Sequence, residues 1–496
     1  MTDPSPVPSA RSVARQSSRW RVLVPLLGAL GIAMVPAPAG LTSSAWLYVA
    51  VFTGVILGLI AEPIAPSAVA FIGGTVAAAA GLPFTDAQRA DPAFNAPSEA
   101  VRWALSGFSN PTVWLIFAAF MFALGYEKTG LGRRISLVLV RSLGHRTLGL
   151  GYAVALSDAL IAPFTPSNTA RSARLIYPVI RSIPELYGST PGETARRLGA
   201  YVMWVAFSTT CVTSSMFVTA LAPNLLLLDM AREVSGVDIT WGEWFLGFLP
   251  VGAVLLLSLP WLVYRIYPPG VRTSSEVPRW AAQALRDMGH VRPQEVAMAA
   301  LASLALLAWV AAGDLFDPTL VAMAAVAAML ALGIVSWNDV VRHTAAWNVL
   351  VWFATLLVLA DGLNRVGFVT WLGRGVAANV TGAPATVVLI ALVAFFFLVH
   401  YMFASLTAHT TAVVPVMLAA GLALDGVPMR EFVLLLGFSL GIMGVLTPYA
   451  TGPAPLYYGC GFITPRDFWR LGALFGAVFL IALLAIGLPW LRWFGR

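Results

Sequence analysis

Two short polar stretches interrupt this chain where its surroundings are most apolar. Ser167-Asn168-Thr169 follows Pro163 and Pro166 at the end of one apolar run, and Ser405-Leu406-Thr407 ends another, 238 residues further on. Hydroxyl and amide side chains at a helix start join the unpaired first-turn N–H groups as donors to an anion. Arg171 and His409, each two residues past its tip, add a charge or a further donor that would be costly against lipid. Downstream of each tip a long apolar run is broken again, at Pro223-Asn224 in the first half and at Thr451-Gly452-Pro453 in the second. Proline removes a helix donor and frees carbonyls, and such oxygens suit a hard cation such as sodium. These residue types point to holding a small anion, with sodium as an optional companion, and two facing half-sites suit a ligand with a carboxylate at each end.

Other chemistry finds little support. The chain carries no HExxH, no GxSxG and no acidic pair at metal spacing, so neither a metal ligand set nor a catalytic residue is assigned and an enzyme is not expected. Cys211 and Cys460 sit in apolar surroundings and read as core residues. Each polar residue also has a plainer role to be weighed. Serine and threonine in membrane helices commonly bond a backbone carbonyl; repetition at both tips is what favours a site. Arg171 could reach an interface along its stem, and Arg174, a turn farther out, is expected to do so. His409 is balanced between ligand and packing roles, His400 and Tyr401 are expected to be structural, and Asp158 and Asp361 to cap helices or sit in loops.

The elements that must position these residues follow from composition. Of 496 residues, 59% are hydrophobic and 11% charged, which excludes a water-soluble fold around a single core and indicates an all-α integral membrane protein. Runs near 22–40, 44–61, 64–82, 111–126, 199–229, 244–264, 295–312, 318–336, 347–361, 431–460 and 468–491 approach the roughly 20 residues a spanning helix needs, giving about eleven transmembrane helices. Runs 147–163 and 385–403 end in polar punctuation and restart, as two re-entrant helical hairpins would. With the N-terminus cytoplasmic, twenty basic residues lie inside and eight outside, leaving Arg171 and Arg174 in the first hairpin. The net charge of +7 then reflects orientation in the bilayer, and no soluble basic domain invites nucleic acid. Segment 1–20 reads as a cytoplasmic tail rather than a cleaved signal.

The halves are related. Asn110 and Trp114 recur as Asn348 and Trp352, Lys128 and Gly130 as Arg365 and Gly367, and Thr219 and Pro223 as Thr451 and Pro455, in the same order as the tips. Opposite charge environments ahead of the two hairpins indicate an inverted-topology repeat. The resulting organisation is a tail (1–20), scaffold helices (21–103), a first repeat with hairpin and broken helix (104–230), scaffold helices with a cytoplasmic loop (231–341), a second repeat (342–460) and a C-terminal transmembrane helix (461–496). Segments 131–144 and 364–378 alternate charged and apolar residues as interfacial helices do.

The stretches FTPSNTARSARLIYPVI, SSMFVTALAPNLL, HYMFASLTAHTTAVVPV and TPYATGPAPLYYGCGFI, lying in both halves, resemble the divalent anion:sodium symporter family, closest to its 2-oxoglutarate/malate translocator and citrate/succinate antiporter branch. The resemblance covers roughly residues 20 to 496. It implies a homodimer in the cell membrane, the inner membrane of a Gram-negative organism, with a fixed scaffold and an elevator-type moving domain. Carried over by motif, Ser167, Asn168 and Thr169 would bind one carboxylate and Ser405 and Thr407 the other, with Thr451, Gly452, Pro453, Pro223 and Asn224 contributed by the broken helices. Leu406 departs from the pattern, standing where sodium-coupled relatives have an asparagine. With Arg171 and His409 as further donors, the expectation is sodium-independent exchange of dicarboxylates such as 2-oxoglutarate, malate or succinate. Sodium-coupled di- or tricarboxylate uptake is the alternative, and an anion channel a more distant one.

Overall fold

A computed structural model describes residues 19–273, 275–311, 315–377 and 384–495. Most of the tail expected over 1–20 therefore lies outside the described residues. Those described form helices and connecting turns, with a single isolated antiparallel bridge between Arg146 and Thr273. Membrane helices must satisfy their own backbone, and the helix starts do so with local side chains: Thr42, Asn110, Thr240, Ser336 and Thr464 each accept a first-turn N–H.

Among the described residues, eight helices are long and apolar enough to cross a bilayer, or nine if Ala96–Ser109 and Pro111–Thr129, bent by 40°, make one span. The expected set of spans differs from this for identifiable reasons. Runs 199–229 and 431–460 are each broken in the middle, into Gly199–Met216 and Ala222–Ser235, and into Met429–Ile442 and Pro453–Gly459. Runs 22–40, 64–82 and 318–336 give shorter helices, Arg19–Met34, Pro66–Ala79 and Pro318–Ala331, ended at Pro or Gly turns. The hairpin arms, conversely, are full-length: Thr147–Phe164, Ala385–Met402 and Leu406–Ala423 all pass the length test.

The repeat is visible as an order of elements. Pro111–Thr129, Leu131–Leu143, Thr147–Ile161, a tip at Ser167 and a broken helix recur as Thr344–Arg365, Phe368–Ala377, Ala385–Val399, a tip at Ser405 and a second broken helix. The amphipathic helices expected at 131–144 and 364–378 are thus Leu131–Leu143 and Phe368–Ala377. The former buries Gly132, Ser136, Leu137 and Val140 and packs on Glu276–Asp287 and Thr147–Ile161.

Two apolar clusters hold the bundle. The smaller joins Ser43–Ala61 and Pro66–Ala79 to the far half of Thr344–Arg365, where Tyr48 Oη donates to Leu359 O at 2.6 Å. The larger surrounds Gly199–Met216, all of whose residues are buried. This helix lies against Thr147–Ile161, Trp241–Ile266 and Met429–Ile442, so the first hairpin and both broken helices share one interior.

Candidate functional site

Each tip is a helix start preceded by extended backbone. Ser167 (φ −135°, ψ 107°) accepts Ala170 N–H on its Oγ at 3.2 Å, and Ser405 (φ −147°, ψ 128°) accepts Ala408 N–H at 3.4 Å. Accepting leaves each hydroxyl proton free to donate forward. The two tips border one cavity of about 290 Å³, which is also lined by Pro166, Asn168, Thr169, Leu221, Ala222, Pro223, Ala404, Leu406, Thr407, Thr451 and Gly452. Both breaks and both tips thus reach one place, although the tips lie 238 residues apart in sequence.

The halves are stitched directly. Asn168 Nδ2 donates to Thr451 Oγ1 at 2.9 Å, with both residues buried. At Gly452 the approach is so close that an added Cβ would lie 1.8 Å from Thr169 Oγ1, so no other residue fits without moving the first tip. Ala222 N–H donates to Pro166 O at 3.0 Å, tying the first tip to the helix that restarts after the break.

Four expected site residues, Arg171, His409, Asn224 and Pro453, stand outside the lining. Arg171 is fully buried behind the first tip and does not line the cavity. Its Nε meets Asp158 Oδ1 at 3.1 Å; Nη1 donates to Thr165 O and Ala220 O at 3.3 and 3.2 Å; Nη2 reaches the hydroxyls of Thr210, Thr213 and Ser214 at 3.0 to 3.2 Å. Two residues past the tip, Arg171 faces Gly199–Met216 rather than the cleft, and a π-helical turn, Arg171–Ile176, begins with it. Asp158, expected as a cap, is its ion-pair partner and also accepts from Thr213 Oγ1. His409 is equally buried, its ring centroid 4.5 Å from Phe396 and 5.0 Å from both Phe403 and His400, and neither nitrogen has a partner. Asn224, the residue after Pro223, is buried outside the lining, where Nδ2 donates to Ser214 O, Phe217 O and Val218 O.

Pro453 is buried beside Gly452 and is absent from the lining. Asp361, likewise expected as a cap, pairs with Arg365, while Arg174 reaches Glu127 at 3.0 Å on an exposed surface. Four carbonyls at the first break are already engaged, those of Ser214, Phe217 and Val218 by Asn224 and that of Ala220 by Arg171.

Sequence reasoning missed Glu62, Phe120, Val349 and Trp352, which complete the wall. Trp352 belongs to the recurring Asn-Trp pair and carried a signal; Glu62, at a left-handed turn (φ 46°) ending Ser43–Ala61, carried none. A larger cavity of about 740 Å³ near Phe71, Ala100 and Phe108 is lined mainly by apolar side chains, with Thr75, Arg89 and Thr355 as its polar members, and neither tip reaches it.

Comparison with known proteins follows the same lines. The family model of the sodium:sulfate symporter transmembrane region matches residues 16–496. The L-tartrate/succinate antiporters of Escherichia coli O6:K15:H31 (strain 536 / UPEC) and Shigella sonnei (strain Ss046) are each 49% identical over 475 residues, covering 95% of this chain and 98% of the relative. Among solved structures, the Alcanivorax borkumensis YdaH transporter superposes with a TM-score of 0.54 at 16% identity, over 80% of this chain and 90% of that one. Neisseria gonorrhoeae MtrF gives 0.52 at 14%, over 95% and 97%. At such identities the two structures speak for the fold alone.

Proposed function

We propose, for a chain that belongs to the sodium:sulfate symporter transmembrane family and is a multi-pass membrane protein, that it exchanges small dicarboxylates of the tartrate and succinate class across the membrane. The carrying observation is that two hydroxyl-bearing helix starts border one cleft and are joined by the Asn168–Thr451 bond. Ser167, Asn168 and Thr169 with the first-turn amides hold one carboxylate. Ser405 and Thr407 hold the other, and the carbon chain lies against Leu406, Phe120 and Trp352. Of the expected substrates 2-oxoglutarate, malate and succinate, the 49%-identical antiporters favour succinate and add tartrate.

Exchange of one dianion for another moves no net charge. The engaged carbonyls of the first break, together with Leu406 at the second tip, support a cycle without sodium. In this reading the hairpins and broken helices move as one body against a scaffold led by 21–103, by alternating access in a homodimer of the inner membrane with the N-terminus cytoplasmic. Sodium-driven uptake is the second reading, favoured by the description of the family itself. Counterflow separates them. Proteoliposomes loaded with succinate should take up labelled tartrate or succinate without a sodium gradient; uptake into empty vesicles that needs such a gradient would overturn the exchanger.

A further inference from the structure

The helix Ala222–Ser235 begins at the cleft, where Ala222 and Pro223 line the wall, and carries Asp229 two turns further on, about 10 Å away at a rise of 1.5 Å per residue. Asp229 is only 3% exposed. Thr112 Oγ1 donates to its Oδ1 at 3.0 Å, while Oδ2 has no hydrogen-bond partner. The carboxyl borders a second cavity, of about 260 Å³, shared with Ser106, Asn110, Glu233, Asp361 and Arg365. An ionised carboxylate held this way forgoes half its solvation, and burial of that kind is relieved by taking up a proton.

Among the described residues no cation forms an ion pair with Asp229, although Arg232 lies near enough to favour its charge. On its own helix, Arg232 pairs with Asp238 at 3.0 Å and Glu233 is a further acid. From Thr344–Arg365 come Asp361 and Arg365, paired with each other. Pro111–Thr129 presents Thr112, and its cap Asn110, whose Oδ1 accepts Thr112 N–H at 2.8 Å, lies beside it. Leu406–Ala423 contributes Pro415 to the cavity, its His409 standing among aromatic rings instead. At the start of Met429–Ile442, Arg430 is bound to Glu243, and Glu431 lies 3.7 Å from Arg492. Val218–Ala220 carries no charge. Among the described residues no three His, Cys, Asp or Glu gather as a metal set, so a proton is the ligand that fits.

We propose that Asp229 is a proton-binding site at the seam between the cleft-bearing helix and the helices flanking it, with the proton carried on Oδ2. The step is one carboxylate and one proton from the water-side cavity giving one carboxylic acid, with nothing oxidised or transferred. The neutral acid lets the seam stay closed; the carboxylate favours its opening to water, so proton occupancy sets how readily the helix bearing Pro223 shifts. The second repeat has no acid in the corresponding Pro453–Gly459, which makes the device specific to the first half.

The test is infrared difference spectroscopy of the full chain in lipid nanodiscs across a pH series. Wild type should show a carboxylic-acid carbonyl band that appears on acidification; D229N should lose it, D229E should shift its position, and E233Q should keep it. In the transport arm, which rests on the dicarboxylate reading, exchange should slow as pH falls through the same step, and D229N should flatten that profile. A band unchanged in both D229N and D229E overturns the proposal. A band lost in D229N from a protein that exchanges no dicarboxylate would leave this site standing and remove the functional reading instead.

Discussion

The two hairpins place a serine cap at the same point and in nearly the same backbone conformation, yet they are anchored by opposite means. Behind the first tip, a fully buried guanidinium uses all of its donors to bind Asp158, three carbonyls and three hydroxyls. Behind the second, His400 Nε2 meets Ala450 O at 2.8 Å, and His409 packs among rings without a single hydrogen bond. The correspondence is close, since Arg171 and His409 lie 238 residues apart and Ala220 O and Ala450 O are both break carbonyls. One half is held by charge and the other by aromatic packing. The lesson is that pseudo-symmetry keeps what faces the cleft more strictly than what holds it in place.

This contrast can be broken at its strongest point first. Arg171→Met leaves Asp158 buried without a counter-charge, a loss of about 3–5 kcal/mol by analogy with broken buried pairs. Thermal unfolding in detergent should drop sharply, and Arg171→Met with Asp158→Leu should recover part of it. A single variant as stable as wild type would mean the pair does not anchor the hairpin. Next, Asn168→Ala removes the bond between halves and leaves Thr451 unpaired. Counterflow should be lost, with a stability cost of about 1–3 kcal/mol, and undiminished exchange would dissociate Asn168 from the ligand.

Leu406→Asn makes the second tip resemble the first. Uptake should then gain a stimulation by sodium that the parent lacks, and an unchanged response would show that this position does not set the coupling. The smallest effect belongs to His409→Phe. Replacing a ring with no hydrogen bonds by one of similar shape should change stability by under about 1.5 kcal/mol and leave exchange intact; a collapse comparable to that of Arg171→Met would erase the distinction between the halves.

Much of this arrangement could be read from sequence because a bilayer forbids unpaired backbone. Proline, glycine and hydroxyl residues inside apolar runs had to mark breaks in protein-lined space, and Ser167, Ser405, Thr451 and Gly452 do meet in one cleft. Side-chain direction was beyond reach. Two residues past a tip, a cation can point into the cleft or behind it, and at Arg171 the partners on Asp158 and Gly199–Met216 that hold it behind come from other parts of the chain. Asp158 and Arg171 sit on opposite arms of the hairpin, so their pairing depends on how the arms close. Glu62 reaches the cleft wall only because Ser43–Ala61 packs beside the second repeat, a tertiary fact with no local pattern.

The most direct trial of the central claim is a density map of the whole protein in nanodiscs soaked with succinate or tartrate. The account predicts one elongated ligand density spanning Ser167–Thr169 and Ser405–Thr407, with Arg171 still bound to Asp158 behind it. Density for the dicarboxylate away from both tips, or contacting only one of them, would contradict it.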